Sequence, residues 1–189
     1  MPRRQNPVAL FIFLLIVLAA IWYLHSRPQS SDSKSSPNGE IRQAHVGPPD
    51  IYPDAERTPG AVNPDITQEN IRDTICNPGW STRSIRPEAS YTTRLKGEQL
   101  REYGYSDISK RDYEEDHFIP LELGGNPTDP RNLWPEPFAT SIPDGGAHAK
   151  DKVENYLHAE VCSGSLTLDQ AQHEITDDWY RVYTQSVPH

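Results

Sequence analysis

Two adjacent residues, Asp116 and His117, combine side-chain types that hydrolysis of a phosphodiester requires. A neutral imidazole titrates near physiological pH and can take a proton from an attacking water. A carboxylate oxygen is a ligand for a hard divalent ion, which stabilises negative charge on phosphate as a Lewis acid. In isolation an Asp-His pair is more often two solvent-exposed polar residues than a catalytic pair, so the neighbouring sequence has to decide between these interpretations.

The neighbouring sequence carries further residues of one pattern. The pair is followed by Phe-Ile-Pro-Leu, then by Gly124-Gly125, and later by Asn132-Leu133. This arrangement resembles the HNH family of ββα-metal nucleases. That family has an Asp-His pair at the end of a first strand, a Pro-Leu segment with a glycine pair, an Asn-Leu at a second strand and a polar residue on the following helix. The resemblance extends from about residue 63 to residue 189, and the longer run is similar to a subfamily of small exported bacterial HNH proteins.

The resemblance implies an α+β fold in which a ββα-metal core carries additional helices. It also implies a metal-dependent endonuclease that acts on nucleic acid, with DNA as the expected substrate and RNA as the alternative. His117 is then the general base, Asp116 binds Mg²⁺ or Mn²⁺, and Asn132 braces the loop and orients His117 through its side-chain amide.

The third metal position is open, because the predicted helix offers several polar residues and no match to the family pattern. At 100° per residue, Asp151, Asn155 and His158 lie together on one face. We expect Asn155 to be the metal ligand, with Asp151 and Glu154 as alternatives.

The charge of the chain limits how it can bind nucleic acid. Its formal net charge is −9, which argues against non-specific attraction to a polyanion. Contact with phosphate must therefore be local and strongly dependent on salt. Arg83, Arg86, Arg94 and Lys96 cluster before the site, and we expect Arg83, Arg86 and Lys150 to bind substrate. Ion pairing within this acidic chain is the competing interpretation of these arginines.

Hydrophobic spacing predicts the elements that position these residues. Apolar residues at helical spacing predict helices over residues 91–103, 147–161 and 167–184. Thr167 and Gln170 form a capping box at the start of the last helix. A shorter helix is expected over residues 67–76, with Ile71 and Ile75 one turn apart. Between residues 113 and 137, short apolar stretches interrupted by Gly and Pro predict two strands around a long loop.

The N-terminal region predicts a membrane tether. Two arginines precede an uncharged apolar run over residues 8–24, so residues 1–25 are expected to be an uncleaved signal anchor, with a cleaved signal peptide as the alternative. Residues 26–60 are rich in Ser and Pro and predict a flexible linker. Residues 61–189 then form the nuclease domain outside the cytoplasm, periplasmic or extracellular, or secreted if the segment is cleaved. The two cysteines, Cys76 and Cys162, are expected to form a disulfide in that compartment.

Two other functions compete with the nuclease interpretation. A non-catalytic HNH-like scaffold that binds a protein or envelope partner is favoured by the acidity of the chain. A hydrolase of another phosphoester, such as an extracellular nucleotide, could use the same residues.

Overall fold

Two short strands enclose the segment that carries the glycine pair. In the computed structural model, which describes residues 50–188, β1 is Tyr113–His117 and β2 is Leu133–Pro137. They pair antiparallel, with His117 opposite Leu133 and Tyr113 opposite Pro137. The two strands predicted around a long loop are confirmed. The connection between them contains two 3₁₀ turns, Leu121–Leu123 and Pro130–Asn132, and no further strand.

Three α-helices complete the described part of the chain, so the fold is α+β as expected. Helix α1 is Ala89–Glu102, α2 is Ala147–Ser163 and α3 is Leu168–Ser186. The capping box at α3 is confirmed, since Thr167 accepts a hydrogen bond from the backbone of Gln170 and the Gln170 side chain accepts one from the backbone of Thr167. Helix α2 ends at Gly164, whose φ of 87° suits glycine.

The helix predicted over residues 67–76 is wrong, because this segment forms consecutive turns. Asn70 accounts for the difference: its side chain accepts a hydrogen bond from the backbone of Thr67 and donates one to the carbonyl of Asp65. Side chains of this type compete with helical backbone hydrogen bonds. Ile71 and Ile75 are nevertheless buried, as their spacing predicts.

The hydrophobic core lies mainly between α2 and α3. Its centre includes Val153 and Leu157 of α2, and Ile175 and Trp179 of α3, all of them at most 1% exposed. The packing of α2 against α3 holds the first turns of α2 in place, and these turns carry residues of the candidate site.

The folded region begins earlier than the boundary predicted at residue 61. Ile51 is 1% exposed and its carbonyl accepts a hydrogen bond from the Trp179 indole at 2.9 Å. The Tyr52 hydroxyl donates to Asp178 at 2.6 Å. Residues 50–60 therefore belong to the folded unit, because their few apolar side chains are placed in its core. The sequence interpretation missed them because few of these residues are apolar and the segment directly follows a Ser- and Pro-rich stretch.

The predicted membrane segment and the remaining part of the predicted linker lie outside the described residues. Within residues 50–188, none of the helices combines the length and the apolar character needed to span a bilayer.

A disulfide joins Cys76 to Cys162, as predicted from the two cysteines. It connects the turns before α1 to the last turn of α2 across a sequence separation of 86. On a chain-entropy estimate, closing a loop of this length contributes about 4–5 kcal/mol to stability.

Candidate active site

The end of β1 directs two adjacent side chains to different surroundings, because successive residues of a strand face opposite sides. The carboxylate of Asp116 lies against α2, where Lys150 Nζ contacts its Oδ2 at 2.5 Å. The ring of His117 lies in the wall of a cavity that α1 also lines. The two groups remain close enough that the Asp116 charge acts on the pKa of His117.

His117 is held as a neutral imidazole in a defined orientation. Its Nε2 lies 3.0 Å from the carbonyl oxygen of Pro127. A carbonyl can only accept a hydrogen bond, so Nε2 carries the proton and Nδ1 keeps a lone pair. Burial lowers the pKa of His117, although the Asp116 carboxylate opposes this effect. The residue therefore has the protonation state and the free nitrogen that a general base needs near neutral pH.

Asn132 braces the loop that orients His117. Its fully buried amide donates hydrogen bonds to the carbonyls of Ile119 and Asn126 at 3.0 and 3.1 Å, and accepts one from the backbone of Ile119 at 2.9 Å. The Asn126 side chain then accepts from the backbone of Thr128 and Asp129. Asn132 therefore acts on His117 indirectly, through the loop that presents the Pro127 carbonyl.

Gly125 is required by the same loop. A Cβ at this position would lie 1.8 Å from the carbonyl oxygen of Ile119 and 2.8 Å from Nδ2 of Asn132. The backbone approaches too closely for any side chain, which explains a glycine next to the Asn132 amide.

Lys150 is the centre of a buried group of charges. Its side chain is fully buried, and Nζ lies 2.5 Å from Glu154 Oε1 as well as from Asp116, and 3.0 Å from the His117 carbonyl. Glu136 of β2 lies 3.8 Å away. Burial would lower the pKa of Lys150, but the three carboxylates, Asp116 first, raise it well above its ordinary value. Lys150 is therefore a permanent internal cation, and its predicted contact with phosphate is wrong because solvent cannot reach it.

The three carboxyl groups around Lys150 differ in how readily they ionise. Burial raises the pKa of Glu136 well above its ordinary value, and the neighbouring Asp116 charge adds to this effect. Burial also raises the pKa of Glu154, with Lys150 opposing. Burial works against ionisation of Asp116 too, yet contact with Lys150 keeps its pKa below the ordinary value. Asp116 is therefore the carboxylate that stays charged.

This group of oxygens suits a hard divalent ion in its chemistry. The three carboxylates are of the type that Mg²⁺ and Mn²⁺ prefer. Because burial raises the pKa of Glu136, its carboxyl group, 3.8 Å from the Lys150 ammonium, would have to lose a proton to bind an ion. A divalent ion would have to share this space with Lys150.

The cavity beside His117 has a volume of about 540 Å³ and is locally basic. Four cationic side chains line it, from Arg86, Lys96, Lys110 and Arg111. Lys96 and Lys110 are fixed by hydrogen bonds to backbone carbonyls. Arg86 and Arg111 are exposed.

Glu114 and Glu115 also line this cavity, and burial raises the pKa of both, so the two acids together offset less than the charge of the four cations. The effect is larger for Glu115. Burial raises its pKa to about 8, while Lys96 opposes the shift. Neither of its buried carboxylate oxygens has a hydrogen-bond partner within residues 50–188. A basic cavity therefore exists in a chain whose net charge is −9.

The predicted site residues are only partly brought together. Asp116, His117 and Asn132 share one end of the sheet, and Arg86 joins His117 in the cavity wall. Arg83 is exposed and is not among the residues that line this cavity. Asn155 is exposed, and its side chain donates a hydrogen bond to the backbone carbonyl of Asp151. Its neighbour Glu154 is the helix residue near Asp116, since both contact the ammonium of Lys150.

The sequence interpretation missed Glu136, Lys110 and Arg111 as site residues. Glu136 could have been found from strand pairing. It lies opposite Glu114, and the side chains of Glu114 and Asp116 are on the same face of β1. Lys110 and Arg111 carry no comparable signal, since they enter the cavity through the 3₁₀ turn Lys110–Asp112 before β1.

Comparison of the chain with known protein families, with curated proteins and with solved structures finds no match.

Proposed function

We propose that this chain hydrolyses phosphodiester bonds in nucleic acid, with DNA as the expected substrate and RNA as the alternative, and that its β1–β2–α2 unit is a ββα-metal core of the HNH type. The observation that carries the proposal is the state of His117. Its Nε2 is tied to the Pro127 carbonyl, which leaves a basic Nδ1 in the wall of a cavity lined by four cations.

The basic cavity supports a polyanionic substrate despite the acidity of the whole chain. Arg86 and Arg111 are exposed at its surface and can pair with phosphate oxygens. Binding then depends on a local field, since the remainder of the chain repels nucleic acid.

In the proposed reaction, Nδ1 of His117 accepts a proton from a water that attacks phosphorus. The Pro127 carbonyl holds the ring in position and stabilises the cationic imidazole that forms, since its hydrogen bond to Nε2 strengthens as the ring becomes charged. The arginines neutralise charge that develops on the non-bridging oxygens.

Asp116, Glu154 and Glu136 are the residues that would hold a divalent ion, Mg²⁺ or Mn²⁺, in this proposal. Such an ion, when bound, supplies Lewis-acid stabilisation of the phosphate and of the departing oxygen. Lys150 orients Asp116 and Glu154 toward one point and also fixes the backbone at His117.

The proposed location is outside the cytoplasm, with residues 1–25 as a membrane anchor. The Cys76–Cys162 disulfide supports an oxidising compartment, where such bonds persist.

Digestion of plasmid DNA and of RNA by the full chain, with Mg²⁺, Mn²⁺ or EDTA, tests the proposal. We expect cleavage that requires metal and is lost in His117→Ala. His173→Ala is a matched control, because His173 lies on the surface of α3 and is 49% exposed. Cleavage that survives His117→Ala would contradict the role of His117 as the general base. If the chain cleaves no phosphodiester at all, the proposed enzymatic activity is wrong.

A non-catalytic scaffold is the second candidate, and one observation favours it. The position between Asp116 and Glu154 already holds the ammonium of Lys150. If the purified chain binds DNA or a protein partner without cleaving any phosphodiester, the scaffold becomes the better description.

A further inference from the structure

A second group of ligand-type side chains lies outside the site described above, around the disulfide. Cys76, Cys162 and His158 each direct one ligand atom to the same place, and these atoms all lie within 4.8 Å of one another. His158 and Cys162 are four residues apart on α2, so they share a helix face. The distance from His158 Nε2 to Cys162 Sγ is 3.4 Å.

Glu122 lines the same cavity and is the candidate fourth donor, although its carboxyl group would have to move toward the three ligand atoms, which form a group within 4.8 Å without it. It lines a cavity of about 390 Å³ together with Cys76, His158 and Cys162. Its Oε1 is buried and has no hydrogen-bond partner within residues 50–188. Burial raises the pKa of Glu122, and His158 is the group that opposes this effect most. An unsatisfied carboxylate oxygen therefore points to a missing cationic partner at this cavity.

The spacing of His158 and Cys162 fits tetrahedral zinc. With Zn–S near ~2.3 Å and Zn–N near ~2.0 Å, two such ligands lie about 3.5 Å apart. The observed distance between His158 Nε2 and Cys162 Sγ is 3.4 Å. Two thiolates on one zinc lie about 3.8 Å apart, and the open cavity beside the disulfide gives the sulfurs room to separate.

We propose that Cys76 and Cys162 alternate between the disulfide and a zinc site, in which the two thiolates, His158 and Glu122 bind a single thiophilic divalent cation. The proposal does not depend on nuclease activity, because none of these four residues belongs to the site around His117.

The exchange begins with a dithiol reductant. The disulfide accepts two electrons and two protons from the dithiol, which becomes a disulfide itself, and two protein thiols result. Zinc then displaces one proton from each thiol. His158 binds through Nε2 with its proton on Nδ1, and it gives up its 2.8 Å contact with the Ile75 carbonyl.

The consequence is a link between the turns before α1 and the end of α2 that survives reduction. Reduction alone removes the constraint that the disulfide places on the unfolded chain. Zinc restores the link. Because the zinc site exists only in the folded state, the free energy of zinc binding adds to the stability of that state.

The test compares the oxidised full chain with the chain reduced by dithiothreitol and then freed of reductant without air. Zinc alone is the probe, and bound zinc is measured after dialysis. We expect one zinc per reduced chain and none per oxidised chain. Cobalt in place of zinc should give the thiolate charge-transfer absorption of a tetrahedral site, and the zinc-loaded reduced chain should unfold at a higher temperature than the reduced chain without zinc.

Variants separate a built site from two thiols that bind zinc in an unfolded chain. His158→Ala and Glu122→Gln should each weaken zinc binding by the reduced chain, the former at least about tenfold. His173→Ala should leave it unchanged. If the reduced chain binds no zinc, or if both site variants bind it as tightly as the unaltered chain, the proposal is wrong. If the reduced chain is unfolded and its two thiols alone bind zinc, both site variants will bind zinc as tightly as the unaltered chain, and the proposal is wrong.

Discussion

The buried ammonium of Lys150 lies 2.5 Å from the carboxylate of Asp116, so the residue expected to bind a cation is already paired with one that belongs to the protein. The pairing makes the two residues interdependent. Removing Asp116 takes the closest partner from a fully buried ammonium, and removing Lys150 leaves a largely buried carboxylate without its cation.

Lys150→Met should therefore destabilise the fold severely. Three carboxylates would lose the only cation that contacts them within residues 50–188, and breaking a buried pair of this kind costs about 3–5 kcal/mol. Urea unfolding at neutral pH measures the change. Arg72→Met is the control, because Arg72 is exposed, and it should change the free energy of unfolding by less than about 0.5 kcal/mol. Equal effects of the two substitutions would refute the structural role of Lys150.

Glu154 and Asn155 can be compared directly as candidates for the metal site. Glu154→Gln should raise the Mn²⁺ concentration required for half-maximal cleavage by at least about tenfold, since it removes a carboxyl oxygen next to Asp116 that can ionise when a metal binds. Asn155→Ala should leave this concentration unchanged, because the Asn155 side chain is bonded to the Asp151 backbone. The reverse result would restore the prediction made from helical spacing.

Asn132→Ala should lower both stability and activity. It removes an amide that makes three hydrogen bonds within the loop and leaves buried backbone groups unpaired, at a cost of about 1–3 kcal/mol for each group. Because the loop carries Pro127, we also expect the pH dependence of cleavage to shift as the orientation of His117 loosens. Asn155→Ala serves as an exposed control. A variant with lower stability and an unaltered pH profile would limit Asn132 to a purely structural role.

Arg86 and Arg83 test whether the cavity binds phosphate. Arg86→Ala should weaken binding of DNA and reduce the slope of log affinity against log salt concentration by about 0.9, the value for one phosphate contact. Arg83→Ala should do neither, since Arg83 does not line the cavity. Titration of labelled duplex at several salt concentrations, with His117→Ala as the background to prevent cleavage, measures both. An equal loss of DNA affinity in the two variants would indicate that DNA is attracted to the surface as a whole and not to the cavity.

The stability of the fold should depend on the ionisation of Glu115. Its pKa rises from 4.5 to about 8 on folding, so the folded state holds the proton more tightly than the unfolded state. The resulting stability is fully present below pH 4.5 and is lost as the pH rises to about 8. Gln cannot ionise, so the melting temperature of Glu115→Gln should exceed that of the unaltered chain by an amount that grows between these values and then levels off.

Glu56→Gln, on the exposed surface, is the control for this pH series. It should show no such trend. A constant difference between Glu115→Gln and the unaltered chain across the same range would mean that Glu115 stays ionised in the folded state.

Local sequence was sufficient where a single element decides the structure. The capping box at Thr167, the apolar stripe of α2 and the break between the strands follow from neighbouring residues, and each is present in the structure. The disulfide could also be inferred, because two cysteines allow one pairing. The turns over residues 67–76 were not predictable from apolar spacing, since the side-chain hydrogen bonds of Asn70 override it.

The sequence by itself determined the residue types at the end of β1 and the order of strands and helices around them, because both depend on local pattern. The tertiary structure decided which partners those residues meet. It buried Lys150 between Asp116 and Glu154, gathered Lys110 and Arg111 into the His117 cavity, and drew Ile51 into the core. The physical reason is that burial and pairing of charges depend on contacts between segments far apart in the chain. A helical wheel indicates the spacing of charged residues along one helix but does not specify which distant carboxylates will surround them.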